Sequence, residues 1–349
     1  MRRTDFQNLV LCGCVMALLA GCNQSMHPNV STTPGSSTTG DPPQPPSGAP
    51  SYSVGVSLSH PSVIVGTNGW GPTLVYHATD GGSAPYASLE GCFPAVDGQG
   101  NFYMLAFHFP WGCGYYPSSI DVFSPDAVGG PAIRSLPVGP GTKIPNVADM
   151  AVSPAGEIFV NDGNGVAVFS ANANGSDAPV RYIQWDGGEQ APVSPGYIAV
   201  DGNDNLYVQN GLSIAVFGPE VTGPAVPSRV ISGPHTQLAG LGRMTTDIHG
   251  NLYVTTSGGA LGTVGVLEFT ADANGDAAPL RSVSSNMSNF DGFLGVAVDS
   301  SGLIYIRATD PYCGAIFVFA ADASGSTTPL RVLGGGCPAG DIDGTIAIF

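Results

Sequence analysis

Few side chains in this sequence have the type and spacing that chemistry demands. The acids that recur in similar surroundings are Asp97, Asp201, Asp247 and Asp299, each followed by a short run rich in Gly or Asn. The loop Asp272-Ala-Asn274-Gly275-Asp276 looks like a fragment of a calcium site, which draws several oxygen ligands from one segment. Comparable turns elsewhere, Asp80-Gly-Gly, Ala127-Val-Gly and Val221-Thr-Gly, carry no carboxylate pair. These acids therefore read as turn residues whose short side chains bond nearby backbone, and no metal site is expected. Six histidines (His27, His60, His77, His108, His235 and His249) are scattered, and none pairs with another at ligand spacing. A Gly-x-Ser-x-Gly elbow, a His-Glu-x-x-His helix and a Gly-Lys phosphate loop are missing. No catalytic residue and no cofactor is expected on these grounds.

Composition narrows the partners and the fold. Hydrophobic residues make up 43% of the 349, enough for a large core. Charged residues make up 10%, against about 25% in ordinary soluble domains. Net charge is −16 and Lys143 is the single lysine, so a phosphate backbone has no basic cluster to meet and nucleic-acid binding is not expected. Fifty glycines and thirty prolines argue for short strands and turns rather than a helical bundle.

The amino terminus carries an address. Met1-Arg2-Arg3 precedes an apolar run, Leu9 to Ala20, of twelve residues. That is too short to cross a membrane, which takes about 20 residues, and suits a secretory signal. It ends in Leu19-Ala20-Gly21-Cys22, which resembles the lipobox of bacterial lipoproteins. The resemblance implies that residues 1–21 are a signal peptide, lost on cleavage together with Cys12 and Cys14. It also implies that Cys22 is acylated, palmitate included, and that the chain is exported and lipid-anchored to the cell envelope. Asn23 stands where an aspartate would resemble an inner-membrane retention signal, which points to the outer membrane. Nineteen of the residues 23–50 are Pro, Gly, Ser or Thr, so 22–50 is expected to be a flexible linker.

Residues 51–349 repeat one unit. Apolar-x-Val-Phe, then Gly, Pro and Arg, occurs as Val166 to Phe169 with Gly175, Pro179 and Arg181. It returns at Ile214 to Phe217, Val266 to Phe269 and Ile316 to Phe319, each with its Gly, Pro and Arg. Ile120 to Phe123 matches with Gly129 and Arg134, and Leu74-Val75-Tyr76 is a degenerate first copy. A second motif of the form Val200-Asp201-Gly-Asn-Asp-Asn-Leu206-Tyr207-Val208 precedes each copy. Each unit thus holds four short strands, which we letter A (Ile-Ala-Val), B (Leu-Tyr-Val), C (Val-x-Val-Phe) and D (around Arg-x-Ile). Four strands every ~40–50 residues predicts an all-β, six-bladed β-propeller of four-stranded antiparallel blades. The terminal Thr345-Ile-Ala-Ile-Phe349 and Val54-Gly-Val-Ser-Leu58 are both spare strands, one of which should close the ring.

Segments A to C resemble the NHL repeat and the six-bladed gluconolactonase-like propellers. The resemblance implies a propeller, and for the second family a metal-dependent lactonase using acids and amides at the channel mouth. The start of each A strand supplies Phe93, Asp149, Tyr197, Arg243 and Gly295 to that mouth. Asp149 is the one obvious metal ligand, and Arg243 opposes a cation. Asp149 and Arg243 are expected to form a salt bridge or to hold a polar ligand with Tyr197. A streptogramin lyase-like histidine is not in this ring, so no catalytic residue carries over.

A–B and C–D turns share one face of a propeller; B–C hairpins and D-to-A links share the other. Trp70, Trp111, Tyr115 and Trp185 fall on the second face, where aromatic rings stack on sugars or anchor proteins. Cys92, Cys113, Cys313 and Cys337 fall there too, and topology favours Cys92–Cys113 and Cys313–Cys337 disulfides in an exported protein. The leading expectation is a monomeric, non-enzymatic binding module for a protein or glycan of the envelope, touching the membrane through its lipid alone. The alternative is a metal-dependent hydrolase or lyase at the channel mouth.

Overall fold

The computed structural model describes residues 56–58, 61–66, 73–79, 84–107, 117–185, 195–256, 265–285, 292–309, 314–334 and 345–349. All belong to one compact unit, Pro50–Phe349, and the leader, Cys22 and the linker lie outside the described residues. Six sheets account for the six repeats, each in the order A-B-C-D from hub to rim. A single helical turn, Pro234–Thr236, is the one helix among the described residues.

Blade two is Cys92–Val96, Phe102–Phe107, Pro117–Phe123 and Arg134–Pro137. Blade three is Asp149–Val152, Ile158–Asn161, Gly165–Phe169 and Arg181–Trp185. Blade four is Pro195–Val200, Leu206–Asn210, Ser213–Phe217 and Arg229–Ile231. Blade five is Leu241–Thr246, Leu252–Thr256, Gly265–Phe269 and Arg281–Ser285. Blade six is Gly292–Val298, Ile304–Thr309, Gly314–Phe319 and Arg331–Gly334. In blade one Ser62–Val65, Thr73–His77 and Ala87–Leu89 serve as B, C and D, and Ile346–Ile348 from the carboxyl end is strand A. The carboxyl-terminal spare strand therefore closes the ring. Val56, from the amino-terminal one, makes an isolated bridge to Val128 in the C–D turn of blade two.

The register explains the aromatic seen once per repeat. The last residue of C faces the first of B: Phe123 with Phe102, Phe217 with Leu206, Phe269 with Leu252, Phe319 with Ile304. B and C are the middle strands of each blade, covered on both faces by neighbouring blades, so they read as apolar runs. D strands begin on the repeated arginines Arg134, Arg181, Arg229, Arg281 and Arg331.

Two blades have five strands where four were expected. Gly223–Ala225 and Gly325–Thr327, in the C–D turns of blades four and six, pair in parallel with the D strands of blades three and five. The glycine opening each carries φ of 71° and 67°, the left-handed region that suits glycine. Gly275 makes the same turn (φ 61°) and a single bridge to Ile231.

Candidate functional site: the hub of the wheel

All six A strands are inner edge strands, and together they surround a cavity of about 650 Å³. In blades two, four, five and six the A–B register slips at the start of A, between Cys92 and Ala95, Pro195 and Ile198, Leu241 and Met244, and Phe293 and Gly295. Such bulges re-aim side chains. Phe93, Tyr197 and Arg243 sit inside three of them, and Phe93 has φ 51°, a costly conformation for a bulky residue.

These bulges assemble one buried cluster. Arg243 Nη1 donates to Asp149 Oδ1 at 2.7 Å, with the two side chains 7% and 3% exposed. The Arg243 guanidinium lies 4.5 Å from the Tyr197 ring centre and 5.2 Å from that of Phe93, so two π-faces help offset its lost hydration. Asp149 Oδ2 accepts from the backbone N–H of Ile198 at 2.8 Å. One ion pair thus ties blades three, four and five together. The four side chains expected at the A-strand starts do meet, and both oxygens of Asp149 are engaged from within the chain.

The recurrent acids are bound into their turns. Asp97 Oδ1 accepts from the N–H groups of Gln99 and Asn101, and Oδ2 from Asn101 Nδ2 and the Tyr103 hydroxyl. Asp201 repeats all four bonds with Asn203, Asn205 and Tyr207, and Asp247 with His249, Asn251 and Tyr253. Asp299 bonds Ser301, Leu303 and Tyr305. Burial and the adjacent carboxylates push the hydroxyls of Tyr253 and Tyr305 up to about 12, and that of Tyr103 higher. In the Asp272–Asp276 loop two side chains bond the neighbouring blade: Asn274 Oδ1 accepts from Val230 N, and Asp276 from His235 N and Nδ1.

The repeated arginines clasp adjacent blades. Arg229 Nη1 donates to the carbonyls of Ala271 and Ala273 in blade five, and Arg281 likewise to Ala321 and Ala323 in blade six. The cross-blade partner is therefore backbone. Acids serve within a blade, as Glu268 does for Arg281. Blade three is instructive: Ser153 and Phe159 replace the usual Asp and Tyr, and Glu157 takes over Arg181 at 2.8 Å.

A second clasp, on the opposite face, escaped the sequence reading. The residue after the apolar core of B reaches a carbonyl of the next blade: Asn161 to Gly196, Gln209 to Leu241, Arg307 to Gly66. Its signal was a polar side chain at the same register of four successive B strands, Asn161, Gln209, Thr255 and Arg307.

Trp70, Trp111, Tyr115, Cys113, Cys313 and Cys337 lie outside the described residues, and so does the side chain of Trp185, the last residue of strand D of blade three. Cys92 is fully buried and disulfide-bonded.

No protein-family model and no curated protein matches the chain. Among solved structures, a protein of unknown function from Bacteroides caccae is similar over 83% of this chain and 99% of its own, at 12% identity and a TM-score of 0.50. A protein from Lactobacillus plantarum is similar over 78% and 82%, at 13% identity and a TM-score of 0.45. What this chain shares with the Bacteroides caccae protein is the fold alone; in this chain that fold is a closed β-propeller of six blades.

Proposed function

We propose that the protein is a lipid-anchored binding module of the cell envelope, held by Cys22 and the linker at the outer membrane. Its loop-rich face meets a protein or glycan partner through Trp70, Trp111, Tyr115 and Trp185. Kinship with the NHL-repeat propellers is part of the proposal and rests on segments A to C of each blade. The Cys92–Cys113 and Cys313–Cys337 pairings belong to it too.

One observation favours binding over catalysis. The acid that a metal-dependent lactonase would use at the hub, Asp149, has both oxygens committed to Arg243 and to Ile198. A guanidinium fills the place of a catalytic cation, and displacing it would leave a buried charge unpaired.

The test is capture of envelope proteins and purified envelope glycans by the full-length protein, with Trp111→Ala alongside. Binding that this substitution abolishes supports the aromatic face; a partner bound equally well by the variant removes it. Labelling with a palmitate analogue, lost in Cys22→Ala, is the expected outcome for the anchor.

A further inference from the structure

We infer that the hub cavity is itself a binding site, for the end of a neutral, hydroxyl-rich chain such as a saccharide, entered from the face of the A–B turns. The inference rests on the binding-module reading but uses a different part of the molecule. The lining runs from exposed turn residues, Gly202, Ile248 and Ser300, down to Asp149 and Arg243. The cavity's size falls within the range of about 300–1,000 Å³ usual for small-molecule sites. It is reached from the end at which the A strands finish, opposite the end at which they begin.

Its chemistry selects the ligand. Every A strand pairs on one side only, so its inner edge turns backbone N–H and C=O groups toward the hub in alternation. Some are met by side chains, among them the N–H of Ile198 by Asp149 and the C=O of Val200 by the Thr246 hydroxyl. At the floor Arg243 spends Nη1 on Asp149, while Nε and Nη2 have no protein partner among the described residues and are not sealed from solvent. Those two N–H groups form one edge of a rigid fork that needs oxygen acceptors. Between floor and mouth, Val96, Val152 and Val298 offer C–H surface.

Charge excludes the alternatives. Arg243 is the one base in the lining, against Asp97, Asp149 and Asp247, so an added anion meets net repulsion. A cation meets the Arg243 guanidinium, and every oxygen of these three acids already accepts at least one hydrogen bond from the protein. A neutral ligand rich in hydroxyls can accept from the fork, exchange bonds with the strand edges and lay its C–H faces on the valines.

The experiment is calorimetric titration of the full-length protein in detergent with cellotetraose, maltotetraose, chitotetraose, tetragalacturonate and tetraglucosamine. At least one neutral tetrasaccharide should bind with one-to-one stoichiometry, and both charged ones about tenfold or more weaker. Asp149→Leu with Arg243→Met removes the fork without stranding a charge, and should weaken binding at least about tenfold. Ser300→Trp, at the exposed mouth, should weaken it without touching the ion pair. The inference is overturned if no neutral tetrasaccharide binds at millimolar concentration, or if the acidic one binds as tightly. It is also overturned if binding survives both hub changes; loss with Trp111→Ala alone would reject the hub while keeping the aromatic face.

Discussion

The buried pair at the hub makes a quantitative prediction. Replacing Arg243 by Met leaves Asp149, 3% exposed, with one backbone N–H as its remaining bond. Removing one partner of such a pair costs about 3–5 kcal/mol. The two ring contacts to Phe93 and Tyr197 go as well, each worth about 0.5–2 kcal/mol, so the cost belongs at the upper end of that range. Adding Asp149→Leu removes the stranded charge and should recover about 2–4 kcal/mol, leaving the double variant about 1–3 kcal/mol below the wild type. The assay is urea unfolding of the wild type, both single variants and the double variant, read as a double-mutant cycle. If Arg243→Met costs less than about 1 kcal/mol, or if the second substitution recovers nothing, the pair does not bind the blades together as described.

Other outcomes follow from the same structure. Deleting residues 345–349 removes strand A of blade one and bares the inner edge of Ser62–Val65, so the melt should broaden and the chain become protease-sensitive. A Cβ on Gly165 would stand 2.5 Å from the Ile183 carbonyl oxygen, so Gly165→Ala should cost about 1–3 kcal/mol by thermal melt, as strands C and D of blade three part. Tyr182, Tyr253 and Tyr305 are held neutral up to about 12 against 10.0 for a free tyrosine. The folded state keeps these protons more tightly than the unfolded chain. Their contribution to stability is therefore complete below pH 10 and lost as pH rises towards 12, seen as phenolate absorbance appearing late and together with loss of β-sheet signal.

The blades were legible because the chain says the same thing six times. Val200-Asp201 through Val208 holds an inner strand, a self-bonded Asp turn and a middle strand, and all three are local. Phe123, Phe169, Phe217, Phe269 and Phe319 marked strand C because a position covered by two neighbouring blades tolerates little but a large apolar side chain. Asp149 and Arg243 were legible as a pair through their shared place at the start of A, and the bulge in blade five then turns Arg243 toward the hub. What stayed hidden lies between blades. The Gly223–Ala225 strand has no strand composition of its own, and forms because a neighbour's D edge is at hand. The carbonyls that Arg229 and Arg281 clasp carry no residue signal at all. Arg307, buried to 1% exposure, stood in a B strand whose other residues gave no hint of a cation.

An internal ion pair occupies the hub, and we propose that the wheel binds rather than catalyses. Turnover of a lactone panel by the full-length protein, with calcium, zinc or manganese and then with chelator, tests it most directly. No hydrolysis above buffer is expected for wild type and for Asp149→Leu with Arg243→Met alike. Hydrolysis that vanishes with chelator and with Asp149→Leu would contradict it.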